Sequence, residues 1–211
     1  MKTDDLIAQL AHEPAAASLG LPRVAAGFLA AVTVPVAAFL LIAGVRAGLG
    51  EVMIHPVTLM KTLLPALTAA FALTGVLRLM RPEGQAGLLM AALAIPLLGG
   101  IGLLLYTVAT MPPAQWFAQW TVLGIIECTG LTLMLSAVPA IAAVRLFRRG
   151  ASPAPQRSAM LAGIAAGAAA STGYSFFCTQ DNPMFFVIWY GASIATVTLV
   201  TLHYGRKQFA W

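Results

Sequence analysis

Six long apolar runs divide this sequence, and they restrict the possible folds more than any other feature. They cover approximately residues 24–45, 57–77, 86–109, 121–144, 158–177 and 184–202. Each is close to the ~20 residues that a helix needs to cross a bilayer with a hydrocarbon core of ~30 Å. Continuous runs favour helices over strands, because in lipid the backbone must satisfy its own hydrogen bonds. The sequence therefore predicts an all-α integral membrane bundle of six helices.

Charged residues are too few for a soluble protein and leave little room for a second domain. They make up 9% of the 211 residues, whereas soluble domains carry about 25%. We expect a cytoplasmic leader over 1–23, a membrane domain over 24–203 and a cytoplasmic tail over 204–211. The leader is polar and the first run is long enough to span, so that run is expected to remain as a signal anchor.

Lys and Arg side chains predict the orientation of the bundle. With the N-terminus inside, ten of the twelve basic residues fall in cytoplasmic segments, and Arg46 and Lys61 fall outside. The positive-inside rule then places both termini in the cytoplasm. The net charge of +5 reflects this topology, and because no basic domain exists we expect no direct nucleic-acid partner. The expected location is a bacterial inner membrane.

The chain has two cysteines, Cys128 and Cys178, and the predicted topology puts both near the periplasmic face. A pair of thiols at one depth could form a disulfide or bind a metal, although a disulfide requires Cα atoms ~4.4–6.8 Å apart. The alternative is that each cysteine is a small apolar residue of the interior. The shared side and the nearby polar groups support a functional role, and both interpretations stay open at this point.

Glu127 and Lys61 are ionisable residues inside apolar runs, at comparable distances from the predicted outer surface. Such groups at membrane depth are candidates for function. One hypothesis pairs them beside Cys128, where they would tune its thiol, together with Asp181 of the outer loop. The alternative is that each side chain extends separately to the interface.

A metal site could draw on Cys128, Cys178, Glu127, Asp181 and His55, all of which are predicted on the outer side. Thiolates combined with carboxylate or imidazole suit zinc and softer ions. The spacing of these five residues matches no metal-binding motif, so the sequence predicts no firmly bound cofactor. We expect at most a transient heavy-metal ion at the two cysteines.

Two further patterns concern the helices themselves. Gly163 and Gly167 lie four residues apart in the fifth run, a spacing that allows close helix packing within one copy of the chain. Each of the first four runs also contains a proline, which removes a backbone hydrogen bond and can kink a helix. Neither pattern predicts chemistry.

The leader has the pattern of a short amphipathic helix that could bind a partner. Thr3 can cap it, Asp4 and Asp5 lie in its first turn, and Leu6, Ile7 and Leu10 share one face. Such a helix could lie in a groove of another protein or on the membrane surface. Enzyme motifs are absent from the sequence, so we expect neither an enzyme nor a small-molecule substrate.

Several of these segments resemble the NrsF family, the negative regulators of sigma F, which are membrane-bound anti-sigma factors. The resemblance is carried by the opening MKTDDLIAQL, the segment ECTGL at 127–131, the segment CTQDNP at 178–183 and WYG at 189–191. It covers essentially the whole chain.

The resemblance implies a function that composition could not give. Family members hold an extracytoplasmic-function sigma factor at the inner membrane and release it on stress outside, such as a heavy metal or an oxidant. Cys128 and Cys178 match the two cysteines of that response. The leader residues Asp4, Asp5, Leu6, Ile7 and Leu10 would be the sigma contact, and the other partner is membrane lipid.

Two other classes of protein remain as alternatives. A membrane thiol-disulfide oxidoreductase would normally carry a CxxC or two cysteine pairs. A small transporter would need a polar pathway through the bundle, yet only Glu127 and Lys61 lie inside apolar runs.

Overall fold

A computed structural model describes residues 20–118, 120–150, 152–205 and 207–209, and within these ranges the chain is helical and has no strand. The helices are α1 (Leu21–Ala43), α2 (Leu49–Val52), α3 (Pro56–Leu79), α4 (Gly87–Ala92), α5 (Ala94–Thr110), α6 (Pro113–Trp116), α7 (Val122–Phe147), α8 (Pro155–Ser175) and α9 (Pro183–Gly205). The all-α prediction is therefore confirmed.

Five helical segments within the described residues are long and apolar enough to cross a membrane. They are α1, α3, the combined α4–α5 segment, α7 and α9. Large apolar side chains such as Leu41, Leu105 and Leu123 are exposed on their outer surfaces, as expected of helices in contact with lipid rather than water. The fifth predicted run, 158–177, forms α8, which does not reach the same hydropathy, so the count of six spans stays a prediction.

Helix α8 is the centre of the bundle and packs against α3, α7 and α9. Fourteen of its 21 residues are buried, most of them Ala, Gly or Ser. A helix surrounded by other helices does not need the hydropathy of one that faces lipid, which explains its composition.

Small residues let α8 and α9 approach closely. A Cβ added at Gly163 would lie 2.6 Å from Thr198 Cα, and one added at Gly167 would lie 3.1 Å from Ile194 Cα. A side chain at Gly163 would therefore collide with the backbone of α9. The predicted close packing within one copy of the chain is confirmed.

The run 86–109, which was expected as one helix, is divided at Leu93 into α4 and α5. Pro96 follows the break by three residues. Its nitrogen cannot donate to the carbonyl of Ala92, and its ring crowds the preceding turn. Pro35, Pro65 and Pro139 lie inside α1, α3 and α7 without interrupting them.

The loops lie at two ends of the bundle, which we call the Cys178 end and the Arg145 end. The Cys178 end holds segments 44–55, 111–118, 120–121 and 176–182, and the Arg145 end holds segments 80–86, 148–150, 152–154 and 207–209. A contact across the Arg145 end is the hydrogen bond from Arg148 Nη1 to Gln208 Oε1 at 3.3 Å. At each end, separate segments of the chain are brought together.

Candidate functional site

Both cysteines belong to one buried cluster at the Cys178 end. Cys128 lies in the second turn of α7, and Cys178 follows the last turn of α8, where its N–H donates to Tyr174 O at 3.1 Å. They are 1% and 3% exposed, and both thiols are free. Tyr174, Phe185 and Tyr190 belong to the same cluster. The structure thus places the two predicted sensing residues in the same part of the core.

An ion triad holds the Cys178 loop, which we define as residues 176–182. Arg46 Nη1 and Nη2 donate to Asp181 Oδ1 and Oδ2 at 2.7 and 2.8 Å, and Lys61 Nζ donates to Oδ1 at 3.1 Å. Both cations also donate to the carbonyl oxygen of Cys178, Arg46 at 3.0 Å and Lys61 at 2.6 Å. The two basic residues therefore fix the backbone of the residue that carries the thiol.

Burial makes this triad sensitive to loss of a partner. The side chain of Lys61 is 1% exposed, and that of Asp181 is 32% exposed. Burial raises the pKa of the Asp181 carboxyl, but hydrogen bonds and charge from Arg46 and Lys61 outweigh it and hold that pKa below its usual value. Asp181 is therefore a carboxylate at neutral pH and balances a buried ammonium group.

Glu127 does not take the predicted place beside Lys61. Lys61 pairs with Asp181, while Glu127 is exposed and makes no ion pair among the described residues. The pairing hypothesis is wrong, and so is the alternative that Lys61 extends alone to the interface. Depth along a helix was the only basis for both, and it gives no information on which face of the helix a side chain occupies.

Arg46 was missed as a site residue by sequence reasoning. It follows α1 and was counted only as an outer charge, yet it binds Asp181 through both ends of its guanidinium. A signal was present, since Arg46 and Lys61 are the two basic residues of the predicted outer side. Two cations there call for a nearby anion, and Asp181 is in the same group of loops.

A second set of contacts holds the other end of the Cys178 loop. Asn182 Nδ2 donates to Gln115 O at 3.1 Å and to Trp116 O at 3.3 Å, which ties the loop to α6. Its Oδ1 accepts from Met184 N at 2.9 Å and so caps α9. The loop is fastened at both Asp181 and Asn182.

The five proposed metal donors do not come together. Across the part of the chain that the structure describes, no three His, Cys, Asp or Glu residues are placed to hold a metal ion. His55 is exposed at the start of α3, and Asp181 is occupied by its two cations. The larger donor set is wrong, and only the two thiols remain as the predicted donors.

A partly enclosed polar pocket of about 200 Å³ lies beside the Cys178 loop. Cys178, Arg46, Glu127 and Gln180 are among its lining residues. The predicted tuning residue Glu127 therefore contributes to the surroundings of Cys178 rather than pairing with Lys61.

The predicted sigma contact, formed by Asp4, Asp5, Leu6, Ile7 and Leu10, lies outside the described residues. The structure therefore leaves the assignment of the leader as a prediction, and the same applies to the division into leader, membrane domain and tail.

Residues 10–211 match a family profile described as NrsF, negative regulator of sigma F. The chain belongs to the NrsF family. A probable anti-sigma-F factor NrsF from Azospira oryzae is 29% identical over 221 aligned residues, which cover the whole of both chains. No solved structure matches this chain.

Membership of the NrsF family confirms the resemblance seen in the sequence. An anti-sigma factor implies a sigma factor as its partner, and the apolar helices fit a membrane-bound regulator. The family is regulatory rather than catalytic, which favours a regulator over the oxidoreductase and the transporter.

Proposed function

We propose that this protein holds an extracytoplasmic-function sigma factor at the bacterial inner membrane and releases it when stress outside the membrane modifies Cys128 and Cys178. The observation that carries the proposal is the position of the chain's two cysteines in one buried cluster beside a loop held by ion pairs. A thiol in such surroundings can change the packing around it when it is oxidised or binds a metal.

Charge distribution supports the orientation that this function requires. Basic residues concentrate in the segments of the Arg145 end and in the two terminal segments, whereas the two basic residues of the Cys178 end, Arg46 and Lys61, share an ion pair with Asp181. A positive end is the cytoplasmic one. The cysteines then face the periplasm, and the sigma factor binds at the opposite end.

Helices α7 and α8 connect the two ends. Helix α7 begins beside Cys128 and ends at the basic segment after Arg145, while α8 begins after that segment and ends beside Cys178. A bond or a shared metal ion between the thiols would fix the ends of these helices relative to each other, and a shift of either helix would reach the Arg145 end.

The energies are of the right order for a switch. Changing a sigma factor from 99% bound to 99% free requires about 5.5 kcal/mol of differential binding. A disulfide contributes about 2–4 kcal/mol to the state that it favours, and a complete structural zinc site contributes about 10–16 kcal/mol. Either modification could therefore produce a large part of the response.

The cytoplasmic contact is assigned to the leader. In the helix that the sequence predicts, Leu6, Ile7 and Leu10 would share an apolar face, and Asp4 and Asp5 would supply negative charge near its start. Deleting residues 1–11 should abolish sigma binding while leaving the protein in the membrane. Retention of the sigma factor by the truncated protein would assign the contact to the segments of the Arg145 end.

The test of the whole proposal is co-purification from detergent-solubilised membranes before and after treatment with an oxidant or a soft metal ion. A sigma factor should leave the wild-type protein on treatment and remain with the Cys128→Ser/Cys178→Ser variant. Release from both proteins would retain the partner but contradict the thiol switch. Absence of any sigma factor from untreated wild type would contradict sequestration itself.

A further inference from the structure

We propose that the pocket beside Cys178 is a binding site for a small hydroperoxide, that Cys178 is oxidised first, and that Cys128 then forms a disulfide with it. The inference rests on the proposed function to the extent that it takes the two thiols as the sensor. It adds the site, the class of reagent and the order in which the two sulfur atoms react.

Access distinguishes the two thiols. Cys178 lines the pocket, which is open on one side, whereas Cys128 is not among the lining residues and is 1% exposed. A polar reagent that enters from the Cys178 end therefore reaches Cys178 before Cys128. Cys128 belongs to the same buried cluster, so we assign it the second step.

Arg46 lines this pocket and carries one hydrogen-bond donor without a partner in the described part of the chain. Its side chain is 8% exposed, and its two Nη atoms are bound to Asp181 and to the carbonyl of Cys178. Its Nε is buried and has no hydrogen-bond partner among the described residues. Leaving a buried N–H unpaired is unfavourable, so a bound molecule with an oxygen acceptor would satisfy it.

Glu127 narrows the class of that molecule. It lines the same pocket as Arg46, so the pocket offers a hydrogen-bond acceptor beside a donor. A neutral molecule that both accepts and donates a hydrogen bond suits this combination. A hydroperoxide accepts a hydrogen bond through one oxygen and donates one through the other. It is also small enough for a pocket of about 200 Å³.

The chemistry is balanced in two steps. The sulfur of Cys178, reacting as thiolate, attacks the terminal oxygen of the hydroperoxide; the S–O bond forms, the O–O bond breaks and an alcohol or water leaves with a proton. The sulfur is oxidised to a sulfenic acid and the hydroperoxide is reduced. Cys128 then attacks this sulfur, the disulfide forms, the S–O bond breaks and water leaves.

The order can be measured on the purified full-length protein with hydrogen peroxide as the probe. A cyclic 1,3-dione traps sulfenic acids, and mass spectrometry locates the product. We expect trapped product at Cys178 in the Cys128→Ser variant and none at Cys128 in the Cys178→Ser variant. Trapping mainly at Cys128, or at neither cysteine, would overturn the proposal.

The pocket itself is tested by comparing two substitutions in the triad. Arg46→Lys keeps the positive charge but removes Nε, whereas Asp181→Asn weakens the ion pairs and keeps Nε. We expect the oxidation rate of Cys178 to fall about tenfold in Arg46→Lys, as for the loss of one hydrogen bond to a charged group. Equal rates in the two variants would contradict a role for Nε.

Glu127→Gln provides a second variant that should fold normally, because Glu127 is exposed. It should oxidise more slowly than wild type with hydrogen peroxide, and an unchanged rate would contradict the assignment of Glu127. Arg148→Lys at the Arg145 end is the matched control for Arg46→Lys and should leave the oxidation rate of Cys178 unchanged.

Bound sigma factor is recorded in the same samples, so that the two proposals can fail separately. Oxidation of Cys178 without release of the sigma factor would contradict the proposed function and leave the pocket supported. Release on peroxide treatment with Cys128 oxidised first would contradict this inference and leave the proposed function supported.

Discussion

At the scale of single residues, Asp181 has the largest effect on the candidate site. Its carboxylate pairs with two cations, and one of them, Lys61, is almost completely buried. Removing one partner of a buried ion pair is more harmful than replacing both partners by apolar groups, because the remaining charge is left without compensation. The same residues hold the Cys178 carbonyl, so this electrostatic balance also sets the position of the thiol.

Asp181→Ala should therefore destabilise the protein more than Lys61→Met. We expect a loss of about 2–3 kcal/mol for Asp181→Ala, below the full value for a buried pair because Asp181 is about a third exposed, and a smaller loss for Lys61→Met. Thermal unfolding in mild detergent measures both. An equal or larger loss for Lys61→Met would mean that the ammonium group is stabilising in its own right.

The depressed pKa of Asp181 gives a pH dependence with a definite sign. A carboxyl whose pKa is lower in the folded state contributes stability above its unfolded value of about 3.9, and this contribution is lost as the pH falls through the folded pKa. The Tm difference between wild type and Asp181→Asn should be constant near neutral pH and decrease in strong acid. A difference that increased on acidification would contradict the assignment.

At the scale of elements, α8 determines how the other helices are arranged. Its Ala and Gly residues bring α9 so close that the backbone of α9 lies where a side chain of Gly163 would be. In membranes, such contacts replace the hydrophobic effect as the source of association between helices. Close packing of small residues thus holds α8 in place, and the position of α8 in turn fixes the Cys178 loop that follows it.

Gly163→Ala should weaken the contact between α8 and α9, with a loss of about 1–3 kcal/mol from overpacking. Gly130→Ala is the matched control, because a Cβ at Gly130 in α7 meets nothing within 4 Å, and it should be neutral or stabilise by up to about 1 kcal/mol. Unfolding in detergent compares them. Equal stabilities would show that α9 moves away without cost.

At the scale of the whole molecule, the two ends of the bundle carry different chemistry. The Cys178 end contains the thiols, the triad and the polar pocket, and the Arg145 end carries most of the positive charge. The proposed function needs these ends on opposite sides of the membrane, joined by α7 and α8. In the proposed function, this arrangement would separate detection from binding of the partner by the thickness of the bilayer.

Single cysteines placed in the Cys128→Ser/Cys178→Ser background test this orientation in intact cells. Ala47→Cys at the Cys178 end should react with a membrane-impermeant thiol reagent added from outside. Gln208→Cys at the Arg145 end should react only after the membrane is permeabilised. The opposite labelling pattern would reverse the orientation and place the thiols in the cytoplasm.

Much of the fold followed from the sequence because it depends on local properties. Apolar length predicted the helices, and the spacing of Gly163 and Gly167 predicted close packing. The positions of Cys128 and Cys178 along their segments predicted a common end of the bundle. Helix α8 is less apolar than the other long helices, since its small residues face protein. The resemblance to the NrsF family came from short segments of sequence alone.

Contacts between distant residues could not be obtained in this way. Asp181 is 135 residues from Arg46 and 120 from Lys61, and these three meet because the packing of α8 returns its following loop to the ends of α1 and α3. The sequence by itself determined that this chain is a helical membrane protein with a thiol pair near one end. Only the tertiary structure decided that Lys61 binds Asp181 rather than Glu127, that Arg46 completes the triad, and that Cys178 lines a pocket. The physical reason is that the packing of the whole bundle sets which face of each helix meets its neighbours.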